Sequence, residues 1–187
     1  MKKELDFDKL KSANKEEKYS FVKELVVISE NEPERIEPHF DKIIKMLDTD
    51  KNVVLWSALK IIGNIARADA ASRISAIMPR LVAYLNSGNM ITANNTINTL
   101  VKIALAKKEL LDDIVAALLE TQKFEYESLE HKNIIAGKAI TALIRLFPKT
   151  NLQEQIKVFA TNYIRNGRPE ALARAEELLK ELDKQKN

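Results

Sequence analysis

A chain of 187 residues that is 45% hydrophobic and 30% charged, with a net charge of only +3, can bury a real core and is too apolar to stay disordered. The complete absence of Cys excludes a disulfide framework and any thiolate-bound zinc or iron–sulfur site. The start, MKKELDFDKLKS, has no continuous apolar core of a leader, and no stretch reaches the roughly 18 uncharged residues of a spanning helix, so the expected setting is the cytoplasm without membrane contact.

Only 4 glycines occur, where about 7% of residues is usual, and no long window alternates apolar with polar residues, so strands are not expected. What recurs is the helical spacing of three and four. A first, unpaired helix is predicted from about Lys15 to Glu30, with Asn14 and Glu17 at capping-box spacing. The next runs through IEPHFDKIIKMLD with Pro38 in its first turn, and the Asp48-Thr49-Asp50 turn is expected to cap the helix that holds Val54, Ala58, Ile61, Ile62 and Ile65 on one face. Ser72 is expected to cap a helix ending near Asn86, and Ser87-Gly88-Asn89 reads as the turn into MITANNTINTLVKIA. A third pair is predicted over about 108–121 and 130–147, stopped by Pro148. A fourth covers about 152–166 and 169–184, divided at Gly167. Its last helix keeps Leu172, Ala175, Leu178, Leu179 and Leu182 on one stripe between charged flanks, as a terminal cap would, and makes the chain read as complete and monomeric.

The second helices repeat. ALKIIGNIA (58–66), TINTLVKIA (96–104) and AITALIRLF (139–147) align at offsets of 38 and 43, and FVKELVVIS (21–29) precedes the first by 37. Periods of that size belong to solenoids of helix pairs. The unit PHFDKIIKMLDTDKNVVLWSALKIIGNIA resembles a HEAT repeat in its early proline, the aspartate in its turn, the valine that opens its second helix, and Ala58, Ile62 and Gly63. It departs from that pattern at Leu55, where the family often has arginine. The resemblance covers roughly residues 15–185 and implies one all-α domain over 1–187, an α–α superhelix (HEAT-like or armadillo-like solenoid) of about four helix pairs plus the N-terminal helix. A compact helical bundle is the other arrangement the periodicity allows.

Catalytic chemistry finds no footing. Gly63, Gly88, Gly137 and Gly167 lie too far apart to cradle a phosphate. His39 and His131 belong to no metal-binding pattern and read as surface residues, while Asp112 and Asp113 point about 100° apart on a helix and cannot face each other. Nothing positions a nucleophile. The resemblance brings in two enzymatic branches, iron-binding HEAT-type hydroxylases and HEAT-like DNA glycosylases. The first needs glutamate directly after histidine, and the second a groove with several tryptophans, where this chain has Trp56 alone. The expectation is a protein that is not an enzyme and needs no metal or cofactor.

Charge comes in blocks. Residues 70–108 hold Arg73, Arg80, Lys102, Lys107 and Lys108 without an acid, 109–130 hold seven acids against Lys123, and 131–168 hold seven Lys or Arg against Glu154. Because the resemblance implies that second helices line the concave surface, their polar stripe is the candidate site. Steps of 100° place Ser57, Lys60, Asn64 and Arg67 there, with Trp56 at the margin. The next helix supplies Asn95, Asn98 and Lys102 with Asn94 at the margin, and the third Lys138, Thr141 and Arg145. Such a stripe is either an ordinary solvated face or a seat for another protein's acidic or amide-rich segment, with nucleic acid as the alternative partner. Trp56 is either inter-repeat packing or a partner anchor. Phe124 and Tyr126 either fold back onto the core or form a recognition loop.

Overall fold

The computed structural model describes residues 4–166 together with 173, 176 and 180. Among these residues the regular elements are all helical: α1 (Lys15–Asn31), α2 (Pro33–Ile36), α3 (Phe40–Lys45), α4 (Asn52–Ile65), α5 (Arg73–Ala83), α6 (Met90–Ala106), α7 (Leu111–Leu119), α8 (Leu129–Leu146) and α9 (Gln153–Asn166). Helices α1, α4, α6 and α8 pack side by side in that order, and α3, α5 and α7 lie against α4, α6 and α8 as their first-helix partners. The result is an all-α solenoid of repeated helix pairs. The predicted last helix falls outside the described residues except for Ala173, Glu176 and Lys180, which are helical and exposed.

The core follows the predicted periodicity. Ala58, Ile61, Ile62 and Ile65 of α4 are buried, as are Thr96, Leu100 and Ile103 of α6 and Ile135, Ala139, Leu143 and Leu146 of α8. Each stripe covers its neighbour's, because a lone amphipathic pair leaves its apolar face wet. Long-range side-chain hydrogen bonds obey the same period. They range in sequence separation from 32, for Arg80 to Asp48, to 41, for Tyr126 to Leu85.

Element ends show where local signals hold and where they yield. Asn14 caps α1 through its side chain, accepting from the amides of Glu16 and Glu17, and Asn89 caps α6 by accepting from Thr92 at 2.9 Å. Gly88 precedes it at φ +74°, a left-handed geometry that suits glycine. The Asp48-Thr49-Asp50 turn does not cap α4, whose N-cap is Lys51 without a side-chain bond. Pro38 does not open one long helix either. Pro33 opens the short α2, and Pro38 sits in a 3-10 turn before α3. A 3-10 turn at Phe7–Lys11, which the periodicity does not reveal, closes the N-terminal side of α1: the Phe7 ring stands edge-on to Phe21 at 5.7 Å and 4.8 Å from the His39 ring. His39 is therefore half-buried rather than a surface residue, and burial, reinforced by Lys42, lowers its pKa.

Ser72 also fails as a cap, because it adopts φ +53° and makes no capping bond. Asp69 takes over: its carboxylate accepts from the backbone of Arg73 at 2.9 Å and of Ile74 at 3.1 Å. That carboxylate is fully buried, and Lys107, from the turn after α6, reaches its Oδ2 at 3.3 Å and the Asp69 carbonyl at 2.7 Å. The adjoining Arg73 pairs with Glu37 and lies 4.5 Å over the Phe40 ring. One repeat later a lighter version recurs, with Asp112 accepting from Thr150 Oγ1 at 2.6 Å and from both nitrogens of Asn151; these bonds hold its carboxyl below the ordinary range. Removing one member of a buried pair strands the other's charge. Lys107→Met is expected to lower unfolding stability by about 3 kcal/mol, and the double variant Lys107→Met, Asp69→Asn to recover part of that loss, read from urea unfolding.

Phe124 and Tyr126 fold back against the core. Tyr126 donates to the Leu85 carbonyl at 2.7 Å, tying the turn before α8 to the end of the previous first helix, as Tyr84 does to Leu47 at 3.3 Å. Burial pushes the Tyr126 phenol up to about 12. The neutral phenol is the folded form, so its contribution is whole below the unfolded pKa of about 10 and is lost as pH rises toward 12. Because the ring is only half-buried, that loss is on the order of 1 kcal/mol. Tyr126→Phe should flatten this alkaline decline while costing about 1 kcal/mol at neutral pH, measured by thermal melts from pH 8 to 11.5.

Candidate functional site

Helices α4, α6 and α8 turn one stripe to solvent, and matching positions fall in rows. Along α4, residues 53, 60 and 64 lie within about 40° of one another around the axis, and 67 follows in the turn after its end. The repeat offsets carry these to 91, 98, 102 and 105 on α6, and the first three to 134, 141 and 145 on α8. Lys60, Arg67, Asn98, Lys102, Lys138 and Arg145 are exposed on this side. Asn64, Asn94, Thr141 and Trp56 are half-buried.

Asn95 is not part of the face. It is 8% exposed and donates its side-chain amide to the Ile91 carbonyl of its own helix at 2.9 Å, so that group is spent within α6. Trp56 bridges repeats: its indole N–H donates to Thr92 Oγ1 on α6 at 3.0 Å. Thr141 bonds within its own helix, to the Gly137 carbonyl.

Between α1, α4 and α6 runs a hydrogen-bonded ladder. Asn64 donates from Nδ2 to Ser29 Oγ at 2.9 Å and accepts at Oδ1 from Lys102 Nζ at 2.6 Å, while Arg67 reaches the Glu30 carbonyl at 3.3 Å. The close approach behind it requires Gly63. A Cβ there would sit 3.2 Å from Thr99 Cα and 3.3 Å from Lys102 Cδ, and the aligned positions, Val101 and Ile144, carry large side chains. A notch of about 380 Å³ opens at this point, lined by Glu30, Gly63, Asn64, Arg67, Lys102 and Leu105.

Cations across the described residues differ in whether a carboxylate holds them. Arg73, Arg80, Lys107, Lys132 and Lys157 each hold a carboxylate. Lys60, Arg67, Lys102, Lys138 and Arg145 form no ion pair with a described carboxylate. Helices α4, α6 and α8, which carry all of these but Arg67, contain one acid, Glu130, in the first turn of α8.

Sequence reasoning overlooked the other edge of the stripe. Val53, Ile91 and Ile134 occupy one aligned position on the three helices and are 44%, 43% and 36% exposed. The offsets of 38 and 43 contain the signal, because they bring these three residues to one position on neighbouring helices. A larger groove of about 730 Å³ lies beside the N-terminal 3-10 turn, lined in part by Phe7, Leu10, Met46 and Val54. Its cations are largely engaged, Lys11 by Asp8, Lys51 by Asp50 and Lys42 over the Phe7 ring. Among the described residues no group of three or more His, Asp or Glu is placed to hold a metal ion, and His131 Nδ1 lies 3.4 Å from Glu127.

With the geometry in hand, comparison with solved structures agrees on architecture. A designed armadillo-repeat protein in complex with the peptide (KR)4 superposes with a TM-score of 0.64 at 18% identity, over 90% of this chain and 77% of that one. The chain has an armadillo/HEAT-like solenoid fold. A second designed armadillo-repeat protein covers 93% of this chain and 97% of that one with a TM-score of 0.46 and 18% identity. No protein-family model and no curated protein matches the sequence.

Asn64 is the joint of the ladder, so Asn64→Ala should cost about 1–2 kcal/mol by leaving Ser29 and Lys102 without it. A double-mutant cycle with Lys102→Met, followed by urea unfolding, should give a coupling of about 0.5–1 kcal/mol.

Proposed function

We propose that this protein is a non-enzymatic scaffold that binds another protein through the open face of α4, α6 and α8, taking an acidic or amide-rich segment. The observation that carries the reading is the segregation of charge. Lys60, Arg67, Lys102, Lys138 and Arg145 gather on this face with no described carboxylate partner, whereas Arg73 and Arg80 of α5, Lys107 in the turn after α6 and Lys157 of α9 each have one. Five cations gathered on one side, without local neutralisation, raise the potential there and favour an anionic partner in both rate and specificity. Asn94 and Asn98 add amides that can both donate and accept.

The designed armadillo-repeat protein is seen with a basic peptide. The stripe here is itself basic, so the segment complementary to it should be acidic. Phosphate backbones carry the same sign, but exposed Val53, Ile91 and Ile134 on the same stripe give nothing to a phosphate and much to a protein.

A labelled (DE)4 peptide, with (KR)4 as control, tests the reading by fluorescence anisotropy. The acidic peptide should bind and weaken as salt rises, and Lys60→Glu, Lys102→Glu and Arg145→Glu together should reduce affinity on the order of a hundredfold. Equal binding to the charge-reversed variant, or preference for (KR)4, would remove this face from consideration. A DNA duplex that outcompetes the acidic peptide and shows a steep salt slope would move the assignment to nucleic acid.

A further inference from the structure

The rows on α4, α6 and α8 constrain the shape of the partner as well as its charge. We infer that the segment this face receives is an amphipathic α-helix laid across α4, α6 and α8, with an apolar residue about every seventh position on Val53, Ile91 and Ile134 and an acidic flank toward Lys60, Lys102 and Arg145. The inference rests on the scaffold reading above and adds the partner's conformation to it.

The first support is register. A single exposed apolar side chain is ordinary on any surface. Three β-branched residues at one aligned position of three adjacent helices, all more than a third exposed, form a row that runs across the helices. The bulk of α4, α6 and α8 already packs in the core, so the row is not a by-product of loose burial.

The second support is width. From Val53 to Lys60 is seven residues along α4, about 10 Å, and to Asn64 about 16 Å. Lys60 therefore stands about 10 Å from the apolar row and Lys102 and Arg145, in the Asn64 row, about 16 Å from it, so a helix about 10–12 Å across with its side chains fills the space between the apolar row and the cations. An extended chain presents only alternate side chains to the surface it lies on, and its backbone occupies little more than the roughly 4.8 Å of one strand. It can follow one row but not both. Between the rows the three helices offer Trp56, Asn94 and Gly137, none of them fully exposed, as the floor on which a cylinder would rest.

The third support is pitch. Neighbouring packed helices lie about 8–10 Å apart, and one heptad of a helix advances about 10.5 Å. A helix crossing the array would thus meet Val53, Ile91 and Ile134 with side chains one heptad apart. Its opposite flank would bring Asp or Glu toward the cations, which have no described carboxylate of their own. A segment of about 21 residues, three heptads, spans all three helices.

A display library of random acidic segments of about 21 residues, selected against the full chain, tests this without assuming a partner. Enriched sequences should show apolar residues at a period near seven with acids on the other flank, and the synthesised peptides should gain helical circular dichroism on binding. Their affinity should fall about tenfold or more on Val53→Ser, Ile91→Ser, Ile134→Ser, substitutions of exposed side chains, and again on the charge-reversed variant. Enriched sequences with an apolar period of two or none, still sensitive to charge reversal, would overturn the helical partner and leave the acid-binding face standing. Sequences indifferent to charge reversal would overturn both. A library that shows no enrichment also overturns the inference.

Discussion

Each helix pair of this solenoid has an apolar side too large to leave in water and too small to close on itself, so every pair must lie against the next. That constraint fixes the period of almost everything else. The buried stripes of α4, α6 and α8 stack because each supplies the surface its neighbour lacks. Once they stack, any polar group near the seam finds its partner one repeat away, as Trp56 does in Thr92, Thr99 in the Leu59 carbonyl and Asn64 in Ser29. Cooperativity between neighbours, rather than one central core, holds such an array together.

Stacking also separates two kinds of surface. At the turns the chain folds back beside the previous turn, and charged groups are brought to partners: Asp69 to Lys107 and Glu37 to Arg73 as ion pairs, Asp112 to the Thr150 hydroxyl as a hydrogen bond. Buried charges there demand partners, because desolvation without compensation is costly. The exposed stripe of the second helices has no such demand, since water screens it. Cations can gather there without carboxylates at little cost to folding, which makes charge on this face free to serve binding.

Much of the architecture was legible in the chain. The three-and-four spacing of Ile61, Ile62 and Ile65, repeated at Leu100 and Ile103 and at Leu143 and Leu146, already marks which faces are buried. Asn14 and Asn89 announce their helices because a cap is a contact over two or three residues. Signals of the same kind failed where distant groups competed. Ser72 lost its cap to Asp69, a carboxylate held in place by Lys107 from the following turn. Pro38 yielded a broken first helix, and the Phe7 turn escaped notice because its reason is the Phe21 and His39 rings, not its own neighbours.

For the candidate face the division is similar. Residue type and 100° steps were enough to place Lys60, Arg67, Lys102, Lys138 and Arg145 on one side, because a straight helix turns the same way whatever lies beside it. They could not say that Asn95 is buried, that Trp56 is shared between repeats, or that Val53, Ile91 and Ile134 remain open to water. Those outcomes depend on how closely α4, α6 and α8 approach, set in part by the missing side chain of Gly63. The sequence by itself therefore determined the helices, their period and their buried faces, which arise from short-range geometry and hydrophobicity. Only the tertiary structure decided which polar groups are satisfied and which side chains stay exposed, because both are properties of the distance between helices that are 35 to 40 residues apart in the chain.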